Sequence, residues 1–217
     1  MVSNATLLYR PGQGLVQRYV KQHPVPFAEY IPDREFFRRI SGAVDLLQQE
    51  MASGVGPEVF RVPSRAGAGP EIAAGPSICF EVAYDDLVRA NVTSGANLLI
   101  VQTNNATFGR SAESVQQLAI SRIRAIEHGR SIVHVSTVGV SALILPNGTL
   151  VQPTTLFTAA ALDGELPLRA ATTLATRLGP WPEYLAVLAA LILIAAPAPL
   201  HLPVARLRRR RKDRLSA

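Results

Sequence analysis

A chain of 217 residues that is 48% hydrophobic, with a mean hydropathy of +0.18, has room for one domain with a core and a small appendage, and is apolar for a purely soluble domain. Its net charge of +6 sits in one place: seven basic residues (Arg206, Arg208, Arg209, Arg210, Arg211, Lys212, Arg214) against Asp213 leave the body neutral, which argues against nucleic acid as a partner. One cysteine excludes an intramolecular disulfide and a Cys-based metal cluster, and His23, His128, His134 and His201 lack ligand spacing, so neither metal nor cofactor is expected.

In chain order, Met1 to Asn4 run straight into the strand-like Ala5 to Tyr9 with no signal peptide, the pattern of a domain entered midway. Tyr19 to Tyr30 then packs Lys21, His23, two prolines and Glu29 into one stiff segment. It reads either as a surface loop or as a path fixed so that Lys21 and Glu29 point to one place. Asp33 is placed to cap a helix running through Gln49, and Gly54 to Gly75, rich in Gly, Pro and Ala, reads as a loop.

Ala74 to Phe80 is a short apolar run of buried-strand type, with a helix-like stretch from Val82. Cys79 therefore falls on a strand-to-helix elbow. There, backbone N–H groups can meet a developing oxyanion, and a helix start favours a thiolate. The alternative is a buried cysteine acting as a small apolar residue.

Asn97 to Gln102 repeats the strand pattern, and Asn104-Asn105 after it are read as shaping a cleft loop or a plain turn. Ser111 opens a helix to about Glu127 with Val115, Leu118, Ile123 and Ile126 as its apolar stripe, ended by Gly129. Ile132 to Ser136 and Val140 to Leu145 are further strands, the latter turning at Pro146-Asn147-Gly148 into Thr149 to Val151. Strands alternating with helices give an α/β layered domain. Tyr184 to Leu200 carries no charge, follows Trp181 and precedes the basic run, as a membrane span with an aromatic belt would. The organisation is thus a domain at 1–180, a transmembrane helix at 181–202 and a basic tail at 203–217. The positive-inside rule puts the tail in the cytoplasm and the domain across the membrane.

Three stretches, Y-V-K-Q-H-P-V-P-F-A-E-Y from Tyr19, I-C-F-E from Ile78 and Q-T-N-N-A-T-F-G from Gln102, resemble in order and spacing the apolipoprotein N-acyltransferases, membrane members of the nitrilase (carbon–nitrogen hydrolase) superfamily. Arg122 to Arg130 and Gly139 to Ala142 extend the resemblance. It implies an α/β nitrilase-type αββα sandwich, incomplete at its start, ahead of the membrane helix. By position it implies Cys79 as nucleophile, Lys21 as triad lysine and Glu29 as supporting carboxylate. Phe80, Glu81, Asn104 and Asn105 fall where substrate or oxyanion support is expected.

The implied partners are a phospholipid acyl donor, an apolipoprotein acceptor and the bilayer of the bacterial plasma membrane. The triad's base glutamate lies, in the family, upstream of the residues matching Val2 to Tyr9. It is therefore expected from missing sequence or from a separate upstream polypeptide, and the isolated chain is expected to be inactive. Ala28 and Phe80 depart from the usual glycine and tyrosine. A carbon–nitrogen hydrolase acting on a small amide, or a non-catalytic membrane-tethered remnant, are the alternatives.

Overall fold

The computed structural model describes residues 2–63 and 69–195. It divides into two units, one up to Gly179 and one from Pro180. The first unit begins with an antiparallel hairpin, β1 (Ala5–Arg10) and β2 (Gly14–Val20), a two-stranded sheet of its own. Helix α1 (Arg34–Ile40) and a 3-10 turn (Gly42–Leu46) follow. A six-stranded sheet then takes β3 (Phe60–Val62), β4 (Ile72–Ile78), β5 (Leu98–Thr103), β6 (Ser131–Ser136), β7 (Ala142–Ile144) and β8 (Leu150–Val151) in sequence order. Strands β4, β5 and β6 are parallel, linked through α2 (Asp85–Thr93) and α3 (Glu113–His128), and the outer strands are antiparallel. This is the α/β layered architecture that alternation of strand and helix patterns predicts.

Two apolar layers flank the large sheet. Val88 and Val92 of α2 and Leu118 and Ala125 of α3 pack with Leu99, Val101, Ile132 and Ile144 on the helix side. Tyr19 from the hairpin packs with Phe60, Ala74 and Ile78, with Leu8, Ile72, Cys79 and Ile100 against them. Pro76 is tolerated in β4 because β3 pairs only with residues 72–74, so no partner strand asks Pro76 for a donor on that side. Its carbonyl takes the Asn91 side-chain amide at 2.8 Å.

Several sequence expectations need correction. Asp33 does cap a helix, accepting from Phe36 N at 3.2 Å, but α1 ends at Ile40 rather than running to Gln49. Extended backbone at Ser41 breaks it, and the chain continues as the 3-10 turn, clasped by Arg38 on Asp45 at 2.6 Å. The expected loop at 54–75 contains β3 and the start of β4. The expected stripe on α3 is mostly on the wrong side: Val115, Ile123 and Ile126 are exposed and only Leu118 is buried. The buried face is polar instead, made of Ser114, Gln117, Ser121, Arg124 and His128 with Ala125.

Beyond β8 the chain runs without regular structure to α4 (Leu174–Leu178), held down by side chains of the sheet's starting end. The buried guanidinium of Arg130 donates to the carbonyls of Ala96, His128, Ala170 and Ala171, Ser131 donates to Pro167 O, and Arg89 donates to Thr176 O.

The second unit is α5 (Trp181–Ala195), whose side chains are all exposed. Trp181 meets Tyr184 edge to face, centroids 6.0 Å apart. Fifteen residues extend about 22 Å, short of a hydrocarbon core of roughly 30 Å, and among the described residues no helix is long and apolar enough to cross a membrane. The remainder of the expected span, and the basic tail, lie outside the described residues.

Candidate active site

Because β4, β5 and β6 are parallel, Ile78, Gln102 and Val135 stand side by side at their carboxyl ends. Cys79, Asn104 and Asn105 follow the ends of β4 and β5, and Ser136 closes β6, the usual location of a site in such a sheet. Cys79 is half-buried and opens a 3-10 turn, Cys79–Ala83, with φ +55. A non-glycine residue in that region carries strain, which surrounding contacts must hold in place.

Two restraints hold it. Glu81, fully buried, accepts the N–H of Ile78 at 2.7 Å, and Arg124 of α3 donates to the carbonyls of Val82 (3.0 Å) and Ala83 (2.8 Å). Arg124 also pairs with Asp85 and with Glu127. The turn after the cysteine is therefore pinned from inside and from the helix.

Glu81 does more than hold its own turn. Its carboxylate accepts the backbone N–H groups of Gln22 (2.6 Å) and His23 (3.2 Å) and the Tyr19 hydroxyl (2.9 Å). Four donors around one buried carboxylate satisfy a charge that would be costly if left bare. Burial first, and then the Glu81 charge, push the Tyr19 phenol above its usual range, which keeps it a donor. The His23 ring stacks on Tyr84 (4.8 Å), and Tyr84 meets Phe80 edge to face (5.9 Å). Segments 19–23 and 78–84 are thus one joined unit.

Lys21 lies inside that unit, 1% exposed, with Nζ 2.6 Å from Glu29 Oε2. The same oxygen accepts the Val25 N–H at 2.7 Å, and Glu29 N donates to Val25 O. The loop carrying Glu29 is closed on itself, with Phe27 at φ +63, and so presents one carboxylate oxygen to the ammonium.

The other expected residues separate. Phe80 is half-exposed. Asn104 works in its loop, its Oδ1 accepting Ala106 N and the Thr137 hydroxyl. Asn105 is buried: Nδ2 donates to Gln117 Oε1 and Oδ1 accepts the Ser136 hydroxyl. Gln117, unforeseen from sequence, places Nε2 3.7 Å from Cys79 Sγ. The signal was available: Ser114, Gln117, Ser121, Arg124 and His128 repeat at three- and four-residue spacing, a polar helical stripe. Among the described residues no cluster of His, Cys, Asp or Glu could hold a metal ion.

A cysteine on a strained turn at the carboxyl ends of parallel strands, joined to a buried Lys–Glu pair, defines a class that comparison confirms. Residues 1–175 match the carbon-nitrogen hydrolase family, and the chain belongs to it. Among its relatives, the apolipoprotein N-acyltransferase of Mycolicibacterium smegmatis is 38% identical over 201 residues, covering 90% of this chain and 32% of that protein. The apolipoprotein N-acyltransferase of Vibrio vulnificus is 31% identical over 179 residues, covering 82% and 34%. The chain spans about a third of the length of these curated relatives. An amidase structure from Nesterenkonia sp. aligns with TM-score 0.46 at 17% identity, over 70% of this chain and 51% of that one.

Proposed function

We propose that the chain carries the nucleophile and lysine of an N-acyltransferase that moves a fatty acyl group from a phospholipid to the amino terminus of a diacylglyceryl-cysteine lipoprotein. The observation that carries this reading is the strained backbone of the half-buried Cys79 at the carboxyl end of β4, where the turn is pinned to the segment that carries Lys21. The names of the relatives supply the choice of reaction within the family.

In this reading the Cys79 thiolate attacks the ester carbonyl of the phospholipid. The tetrahedral intermediate expels the glycerol oxygen, which leaves as a lysophospholipid alcohol after taking a proton, and the acyl group stays on sulfur as a thioester. The lipoprotein amine then attacks the thioester, loses a proton, and releases the thiol with an amide formed. Lys21, held charged and oriented by Glu29, and the N–H of Phe80 stabilise the oxyanion at both steps. Glu81 acts by joining the Lys21 segment to the cysteine turn, and Asn104 and Asn105 shape the cleft. Trp181–Ala195, largely apolar and exposed throughout, suits the start of a membrane anchor, and the basic run later in the sequence favours a domain on the outer face of a bacterial plasma membrane.

The test expresses the chain from its natural locus, with flanking sequence, in bacterial membranes supplied with an alkyne-labelled phospholipid. A hydroxylamine-sensitive label on Cys79 that is chased onto a lipoprotein amine is expected, and is lost in Cys79→Ala. Absence of any acyl adduct sinks the reading. The family match favours one alternative, hydrolysis of a small amide by water, and ammonia release without lipid labelling would select it.

A further inference from the structure

The Cys79 sulfur has a neighbour to which the acyl-transfer scheme gives no task. Gln117, on the buried face of α3 and 6% exposed, directs its amide nitrogen at Sγ from 3.7 Å. Its other end is occupied twice over: Oε1 accepts the Thr103 hydroxyl and Asn105 Nδ2, each at 2.9 Å. Asn105 Oδ1 in turn accepts the Ser136 hydroxyl at 2.8 Å, and Ser136 Oγ accepts the N–H of Gly139 at 2.8 Å.

These contacts run in one direction. The Gly139 N–H donates to Ser136 Oγ, the Ser136 proton lies on the Asn105 carbonyl, the Asn105 amide on the Gln117 carbonyl, and the Gln117 amide faces sulfur. Turning both amides over would take the Asn105 carbonyl from the Ser136 proton and set the Gln117 carbonyl against the sulfur, which repels a thiolate. Gly139 has no room for a side chain, since a Cβ there would run into the Ser114 and Ser136 hydroxyls. The distance to sulfur is also braced from a second point, because Arg124, two turns along the same helix, grips Val82 and Ala83 of the cysteine turn.

We propose that Gln117 is a positioning residue for the nucleophile: its amide N–H orients the Cys79 sulfur and favours its anionic form, and the Gly139–Ser136–Asn105 chain keeps that amide facing the sulfur. The inference rests on the reading of Cys79 as nucleophile and adds a donor to it from the helix side.

Cys79 is the only cysteine, so alkylation by iodoacetamide reports on this sulfur directly and needs neither acyl donor nor acceptor. The measurement is the alkylation rate of the 217-residue chain against pH, for wild type, Gln117→Leu, Gln117→Glu and Ser136→Ala. Loss of the donor in Gln117→Leu is expected to slow alkylation several-fold at neutral pH. A carboxylate facing the sulfur in Gln117→Glu is expected to move the midpoint of the profile up by about one pH unit, roughly tenfold in rate at pH 7. Ser136→Ala, which frees the amide to turn, is expected to fall between Gln117→Leu and wild type. It carries the test alone should the Gln117 variants not fold. A slower rate with an unmoved midpoint in every folded variant would mean mere access, and overturns the proposal. So does a wild-type sulfur that resists alkylation below pH 9. A shifted midpoint in a protein that never forms an acyl adduct keeps the positioning role and sinks the acyltransferase reading instead.

Discussion

The Glu81 carboxylate holds the backbone N–H of Gln22 at 2.6 Å, so a residue two places after the candidate nucleophile fixes the loop that carries the candidate lysine. Cys79 and Lys21 are far apart in sequence, and this contact, with those to His23 and Tyr19, is what makes their segments one structure.

Replacing Glu81 with Gln keeps the shape but turns one of two acceptor atoms into a donor facing N–H or O–H groups. A buried pair of donors then meets, and the expected loss is roughly 2–4 kcal/mol. Urea unfolding checks this. A loss below 1 kcal/mol would mean the loop is held elsewhere.

Glu29→Ala leaves the Lys21 ammonium, 1% exposed, without its partner. Breaking a buried pair from one side costs about 3–5 kcal/mol. Glu29→Gln, which can still accept the Val25 N–H, is expected to be milder in stability. It should nonetheless lower thioester formation at Cys79, as measured by the hydroxylamine-sensitive label.

His134 of β6 is buried against α3 with Nδ1 2.9 Å from Ser121 Oγ, and burial holds its pKa at about 4 against the ordinary 6.5. The folded state resists the proton and the unfolded chain accepts it below 6.5. This contribution is therefore complete above that value and declines as pH falls towards 4. Between pH 7 and pH 5 it amounts to about 2 kcal/mol. His128, hydrogen-bonded to Thr176 and likewise lowered by burial, acts in the same direction. Urea titrations at several pH values should show this slope, and His134→Gln should flatten it.

Arg130→Met removes four donor contacts to carbonyls, two of which, on Ala96 and His128, belong to buried residues. The expected loss is roughly 2–4 kcal/mol, and limited proteolysis should cut first between residues 160 and 172. Cleavage elsewhere at first would show that Ser131 and Arg89 suffice to hold this stretch.

The sheet was legible because its strands are buried on both faces, so Ala74 to Phe80, Asn97 to Gln102 and Ile132 to Ser136 read as continuous apolar runs close to β4, β5 and β6. The β7–β8 turn announced itself through Pro146-Asn147-Gly148, where Gly148 N closes on Leu145 O. Helix α3 was found but turned the wrong way. Its inner face serves the cysteine turn and the Arg130 region through Gln117, Arg124 and His128, so polar side chains displaced Val115, Ile123 and Ile126 outward.

For the site, a lysine, a glutamate and a cysteine stood out by their family spacing, and the structure pairs the first two. Glu81 looked like a neighbour of the nucleophile from sequence. Its grip on residues 19–23 is a long-range contact that no local pattern reveals. Gln117 escaped because an amide on a helix ordinarily needs no explanation.

The stretch from Pro167 to Thr176 fastens to Asn97, Arg130 and Ser131, where β5 and β6 begin, while the sulfur sits where β4 ends. In the sheet's register Ser131 aligns with Leu98 and Ala74, four residues before Ile78, or roughly 13 Å along the strands. The last segment before Gly179 also meets α3, where Thr173 donates to Glu127 O and Thr176 pairs with His128, beside the Arg124 that grips the cysteine turn. A pull on the chain after Gly179 would thus reach both the beginning of the strands and the helix that braces Cys79.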